Sequence, residues 1–168
     1  MKIRTRLVAG AVAALALTSG VATAQVAQAA ADGPAVVETR TLSAEAALKI
    51  ADAVQKEAAK QKQRVTVAIV DRSGVTRLLL KGDGAGPQTE ESARRKAWTA
   101  VSFGQATSAL SKNQALAAIP GTLLLAGGVP VAVDGAPIAG IGIGGAPSGA
   151  IDEAIAQAGL KAIQGQLR

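Results

Sequence analysis

The spacing of apolar and polar residues divides the chain into short alternating elements. A helix begins after Ser43, a good N-cap, with Glu45 in its first turn and Leu42 placed to staple onto Ala47. Ala47, Ile50, Val54 and Ala58 recur at helical spacing and define its buried stripe, and Lys60 and Lys62 suit its C-terminal end. Val65 to Val70 and Val75 to Leu80 are β-rich runs separated by Asp71-Arg72-Ser73-Gly74, which predicts an antiparallel hairpin. The glycine-rich stretch Gly82 to Pro87 is a loop, and Thr89 is expected to cap a second helix opening with Glu90 and Glu91.

Ser108 to Ala118 reads as a polar helical excursion stopped by Pro120-Gly121. Three strands are expected next, at Thr122 to Ala126, Val129 to Val133 and Pro137 to Ile143, with a tight turn at Asp134-Gly135 between the last two. Ser148 caps a final helix with Asp152 and Glu153 in its first turn and Ile151, Ile155, Ala158 and Ala162 on one face. Hairpins dominate this order, so the fold class is α/β with a mainly antiparallel, five-stranded sheet covered by helices.

The N-terminus follows a different logic. Lys2, Arg4 and Arg6 precede an apolar run from Leu7 to Leu17, and small residues offer cleavage at Ala22-Thr23-Ala24 or Ala27-Gln28-Ala29. This is the order of a secretory signal, and the run is too short to span a bilayer. Residues 1–29 are therefore expected to be removed, with cleavage as late as residue 31. A flexible leader over 30–41 and one domain over 42–168 would remain, secreted and without membrane insertion. The three leader cations matter to the charge. The full chain has 18 basic and 12 acidic residues, but without Lys2, Arg4 and Arg6 the balance is 15 against 12. With one Trp, one Phe and no Tyr, nucleic-acid binding lacks both the basic cluster and the stacking aromatics it needs.

Candidate chemistry is bounded by absences. The chain has no His and no Cys, and its one Met is the initiator. Zinc sites and His-based triads are excluded, no disulfide reinforces the fold, and a haem iron lacks the usual His, Met, Cys or Tyr ligand. Gly140, Gly142 and Gly145 match G-x-G-x-x-G, but no further strand or acidic residue follows at the dinucleotide-binding distance. Close packing of a glycine-rich strand explains these residues better. Asp71, Asp83 and Asp134 are read as turn residues.

The second helix is more informative. Ala93, Ala97, Ala100 and Gly104 form a stripe of small residues. Glu91, Arg95, Trp98 and Ser102 share another face, with Arg94 one turn before Trp98. Two accounts fit the single Trp: a half-buried ring under snorkelling cations, or a surface for a flat anionic ligand or a second subunit.

Val67-Ala-Ile-Val-Asp71-Arg-Ser-Gly74, Gly82-Asp-Gly-Ala85 and Ala93-Arg-Arg-Lys-Ala-Trp-Thr-Ala100 resemble the HbpS/GlcG-like family. So do Ile119-Pro-Gly-Thr-Leu-Leu-Leu-Ala-Gly-Gly128 and the stretch from Gly135 to Asp152. The likeness runs from about Leu42 to Ile163 and is strongest to secreted haem-binding, haem-degrading members. It implies a profilin-like α/β/α domain and a ring-like homo-oligomer, an octamer. It also implies haem or iron as cofactor, and an accessory role beside a membrane sensor kinase responding to redox or haem stress. The family's haem-contacting threonine falls at Thr122. Its Glu-x-x-Glu iron motif falls on Glu91 and Arg94, so a cation replaces the second carboxylate. Arg94, Arg95 and Trp98 are the expected partners of haem propionates or ring. A cofactor-free extracellular interaction module and a small-acid-binding protein remain the alternatives.

Overall fold

The computed structural model describes residues 34–168, and the expected export signal lies outside the described residues. Residues Arg40–Arg168 form one compact unit. It contains α1 (Ala44–Lys60), β1 (Thr66–Asp71), β2 (Thr76–Lys81), α2 (Thr89–Phe103), a short α3 (Thr107–Leu110), a 3-10 turn (Gln114–Ala118), β3 (Gly128–Val133), β4 (Ala136–Gly144) and α4 (Gly149–Ile163), followed by a last 3-10 turn (Gln164–Gln166). The strands form one antiparallel sheet in the order β2-β1-β4-β3.

Local signals account for most boundaries. The Ser43 side chain accepts a hydrogen bond from the Ala46 amide, and Ser148 does the same for Ile151. Asp134 and Gly135 both have positive φ, at 51° and 78°, the backbone of a two-residue hairpin turn joining β3 to β4. At the first hairpin, Asp71 Oδ1 accepts from the Ser73 and Val75 amides, at 2.9 and 3.0 Å. Pro130 sits on edge strand β3, where a missing N–H is tolerated.

Two expectations need correction. The sheet has four strands, not five, because Thr122 to Ala126 is not a strand. Its polar backbone groups go to side chains instead of a neighbouring strand: the Leu123 amide donates to Thr99 Oγ1 at 2.9 Å, and the Leu125 carbonyl accepts from Thr107 Oγ1 at 2.7 Å. Thr89 does not cap α2; the N-cap is Gln88, and Thr89 is the first helical residue. Its buried hydroxyl lies 2.7 Å from that of Thr66 on β1 and bonds to the Gly86 carbonyl.

The sheet divides the core into unequal layers. On one side, Val67 and Ile69 of β1 and Ala139, Ile141 and Ile143 of β4 pack against Ile50 and Val54 of α1 and Ile155 of α4. On the other, Ala68 and Val70 meet only α2, through Ala93, Ala97 and Val101. Strand β4 alternates accordingly, its isoleucines facing the two-helix layer and Gly140, Gly142 and Gly144 facing α2. A Cβ on Gly140 would collide with the Ala97 carbonyl, and one on Gly142 with the Ala93 carbonyl. The small-residue stripe of α2 and the glycines of β4 are thus two halves of one contact, between helix backbone and strand backbone.

Gly142→Ala therefore forces backbone apart instead of displacing a side chain. The expected cost is about 3 kcal/mol, read as a lower urea midpoint. Gly135→Ala is the contrast for space: a Cβ there meets nothing within 4 Å, so its cost comes from the positive φ alone.

Candidate functional site

Helix α2 places the expected site residues. Its N-terminal turn carries Glu91, whose carboxylate is held by Arg94: Nη2 lies 2.8 and 2.7 Å from the two carboxylate oxygens, and Nε donates at 3.0 Å. Both side chains are exposed, at 46% for Arg94 and 59% for Glu91, so the pair adds little stability. It nevertheless occupies the one carboxylate remaining from the expected iron motif. Among the described residues no three His, Cys, Asp or Glu side chains cluster as a metal cage.

One turn further on, Arg95 points a different way. Its Nη2 donates to the Thr122 carbonyl at 2.7 Å and its Nε to the Gly121 carbonyl at 3.3 Å. Thr99 holds the other end of the Thr122–Leu123 peptide group, because its Oγ1 accepts from the Leu123 amide while donating to the Arg95 carbonyl at 2.8 Å. Trp98, between them in sequence, is half-buried. A Cβ on Gly121 would lie 3.8 Å from its ring, and one on Gly74 would lie 3.4 Å from its indole nitrogen. Both glycines have positive φ, so two turns approach the ring without side chains of their own. The structure thus brings Arg95, Trp98 and Thr122 together, and engages Arg94 with Glu91.

Thr122 is buried, and its Oγ1 is the buried side-chain oxygen or nitrogen without a hydrogen-bond partner among the described residues. A buried hydroxyl left unpaired costs free energy, so native proteins keep few. Its position in an irregular segment, pinned at the neighbouring peptides, makes it a candidate ligand group.

The structure adds a pair that the sequence pattern did not single out. Lys96 projects from α2 beside Ala93 and Ala97, and its Nζ lies 2.7 Å from Asp152 Oδ2 and 2.9 Å from the Ile143 carbonyl. Asp152 Oδ1 accepts from the Ala146 amide at 3.0 Å. Both charged side chains are almost fully buried, at 3% and 4%. They border a cleft of about 440 Å³ also lined by Ser92, Ala146 and Ser148. Burial pushes the Asp152 carboxyl up from its ordinary range, and the Lys96 ammonium and the Ala146 amide pull it back. The available signal was a lysine at i+3 from Ala93 on the apolar stripe, a position where a cation needs a buried partner.

Fold and site together define an α/β/α domain with a thin, alanine-lined helix layer beside an irregular threonine-bearing loop. Residues 42–161 match the HbpS-like haem degrading proteins, and the chain belongs to that family. It is similar to the crystal structure of a double glutamate-to-aspartate mutant of Streptomyces reticuli HbpS, at 52% identity and a TM-score of 0.74, covering 77% of this chain and 91% of that one. It is also similar to PduOC, solved as a haem complex, at 30% identity and a TM-score of 0.69, over 74% and 96% of the two chains. Klebsiella pneumoniae ORFY, a DUF336 protein, matches at 25% identity and a TM-score of 0.73, over 79% and 97%. No curated protein sequence matches at a significant level. The profilin-like α/β/α arrangement expected from the resemblance holds, with one strand fewer.

Lys96→Met leaves a buried carboxylate without its cation. At neutral pH this should cost about 3 kcal/mol. The Asp152 carboxyl, already raised by burial, rises further without Lys96. A proton held more tightly in the folded than in the unfolded state stabilises the fold below the ordinary carboxylate range, and that stability is lost as pH rises through the folded value. The deficit of Lys96→Met should therefore shrink on acidification from pH 7 to 4, as read by denaturant midpoints of the two proteins.

Proposed function

We propose that this chain is an exported haem-binding protein of the HbpS type, with Thr122 as the residue that meets the iron. The observation that carries the proposal is the buried, partnerless Thr122 hydroxyl. The donor set agrees with it. In a chain with no His, Cys or Tyr, a hydroxyl is among the few groups left to approach a porphyrin iron. When bound, haem would supply the redox-active iron for its own oxidative breakdown. The chain's own residues hold and orient: Thr122 offers the oxygen, and Trp98 presents an aromatic surface beside it. Arg94 and Arg95 place positive charge on the same helix, a field that draws in an anionic porphyrin. Iron storage at Glu91 is not part of this reading, because its carboxylate is taken by Arg94.

Export and assembly complete the proposal. The signal-like segment 1–29 supports a secreted protein, and among the described residues no helix is long and apolar enough to cross a membrane. Edge strand β2 leaves Leu79 and Leu80 substantially exposed, as is Val75 just before it, and Ile119 and Leu125 are exposed near Thr122 in sequence. Exposed aliphatic side chains along an unpaired strand edge favour association between copies, and the homo-oligomer, an octamer, belongs to this reading. An accessory role beside a membrane sensor kinase follows from the same family likeness.

Haemin titrated into the purified protein should produce a shifted Soret band, and Thr122→Ala should move that band and weaken binding. An unchanged wild-type haemin spectrum at a large excess of protein would refute haem binding and leave the cofactor-free interaction module. A Thr122→Ala spectrum identical to wild type would remove Thr122 from the iron.

A further inference from the structure

The two peptide groups that flank Thr122 are fastened to one turn of α2. Arg95 spans the Gly121 and Thr122 carbonyls with one guanidinium, and Thr99, four residues later on the same helix, takes the Leu123 amide. This stretch has no strand ladder to hold it: Thr122 to Ala126 pairs with no strand, and its nearest backbone bond is from the Thr122 amide to Ile119 at 3.1 Å. Gly121, with φ of +88°, turns the chain tightly over the Trp98 ring. The backbone that carries the Thr122 hydroxyl is therefore fastened by side chains of α2.

We propose that Arg95 and Thr99 are positioning residues that aim Thr122, and that Arg95 acts through the loop instead of touching a ligand. The inference rests on the reading of Thr122 as the haem-contacting residue, and it narrows the role of Arg95 within that reading. A guanidinium is suited to the task because its planar fork reaches two acceptors at once, which an ammonium does not do with fixed geometry. Thr99 adds the second pin by using its hydroxyl twice, as donor to its own helix and as acceptor from the loop. Together the pins hold a buried hydroxyl that makes no hydrogen bond of its own.

The test uses two optical signals from one haemin titration. The Soret band reports the iron's ligand, and quenching of the only tryptophan, Trp98, reports haem nearby whatever the ligand. Arg95→Ala should move the Soret band as Thr122→Ala does and weaken haemin binding about tenfold, the loss expected for one charge-assisted hydrogen bond. The double variant should add nothing to either single one, since both break the same contact. Arg95→Lys should recover part of the band, and Thr99→Val should reproduce the Arg95→Ala spectrum by releasing the loop at its other pin.

An Arg95→Ala protein with the wild-type band and weakened affinity would overturn the proposal, because that result marks direct contact with a propionate. Additive effects of Arg95→Ala and Thr122→Ala would overturn it as well. Amide exchange at Leu123 provides a haem-free readout. Protection should be lost in Thr99→Val and reduced in Arg95→Ala, and unchanged protection in both would refute the clamp even if haem binds elsewhere. Loss of protection in a protein that leaves haemin's spectrum untouched would keep the clamp and refute the haem reading, so the two failures are separable.

Discussion

The near-contact of two backbones, α2 against the glycine face of β4, is the constraint from which the other features follow. Because Gly140 and Gly142 have no Cβ, the Ala93 and Ala97 carbonyls of α2 come down onto the strand itself. The helix on this side is alone, whereas α1 and α4 share the opposite face with a full complement of isoleucine and valine. An alanine layer buries little apolar area per residue, so the closeness of approach, with many short dispersion contacts, has to replace side-chain bulk. That geometry also fixes where everything else on α2 lies. With Ala93, Ala97 and Ala100 facing inward, Arg95, Trp98 and Thr99 meet the 121–123 segment, and Lys96 reaches the end of β4.

Lys96 and Asp152 show what that closeness permits. A cation on a stripe of alanines would be intolerable if it ended among apolar atoms. Here it passes to the end of β4 and meets the Ile143 carbonyl and the Asp152 carboxylate together. Buried ion pairs contribute little net stability but are costly to break, because the partner left behind is an uncompensated buried charge. The pair joins the single-helix layer to the first turn of α4, which belongs to the other layer. It therefore fixes α4 relative to α2 through charge, across a sheet that otherwise relates them only through packing.

The parts of this architecture legible in sequence are those written locally. Ser43 and Ser148 announce helix starts because a cap needs only the next three residues, and Asp134-Gly135 announces a turn because its positive φ values are a property of two residues. The small stripe of α2 and the alternating glycines of β4 were each visible, and only their meeting was not. Thr122 to Ala126 misled for a tertiary reason: an apolar run reads as a strand, but Thr99 and Thr107 claim its backbone groups, and both come from other elements. Thr89 misled similarly, since a threonine in the right place for a cap is instead drawn inward by Thr66. The candidate site divides along the same line. Thr122 was placed by family likeness, whereas its missing hydrogen bond and its fastening by Arg95 and Thr99 depend on residues more than twenty positions away.

The replacement at Arg94 and the buried hydroxyl at Thr122 bear on each other. Where a second carboxylate would gather iron at the surface of α2, this chain has an internal ion pair that cancels the charge of Glu91. A metal approaching that face finds no net negative charge, and the local field favours an anion instead, since Arg95 lies beside the pair in sequence. On the proposed reading the ligand is such an anion, a porphyrin that brings its iron already bound, and no carboxylate cage is needed to acquire the metal. The requirement is then only a neutral oxygen held in one direction. A hydroxyl is a weak ligand, and its usefulness depends on not being spent on another bond and not being free to turn away. Thr122 meets the first condition directly, and the fastening of its neighbouring peptides to α2 meets the second. On the proposed reading, the close packing of α2 on β4 is therefore what lets a chain without imidazole or thiolate present an oxygen ligand in a fixed place.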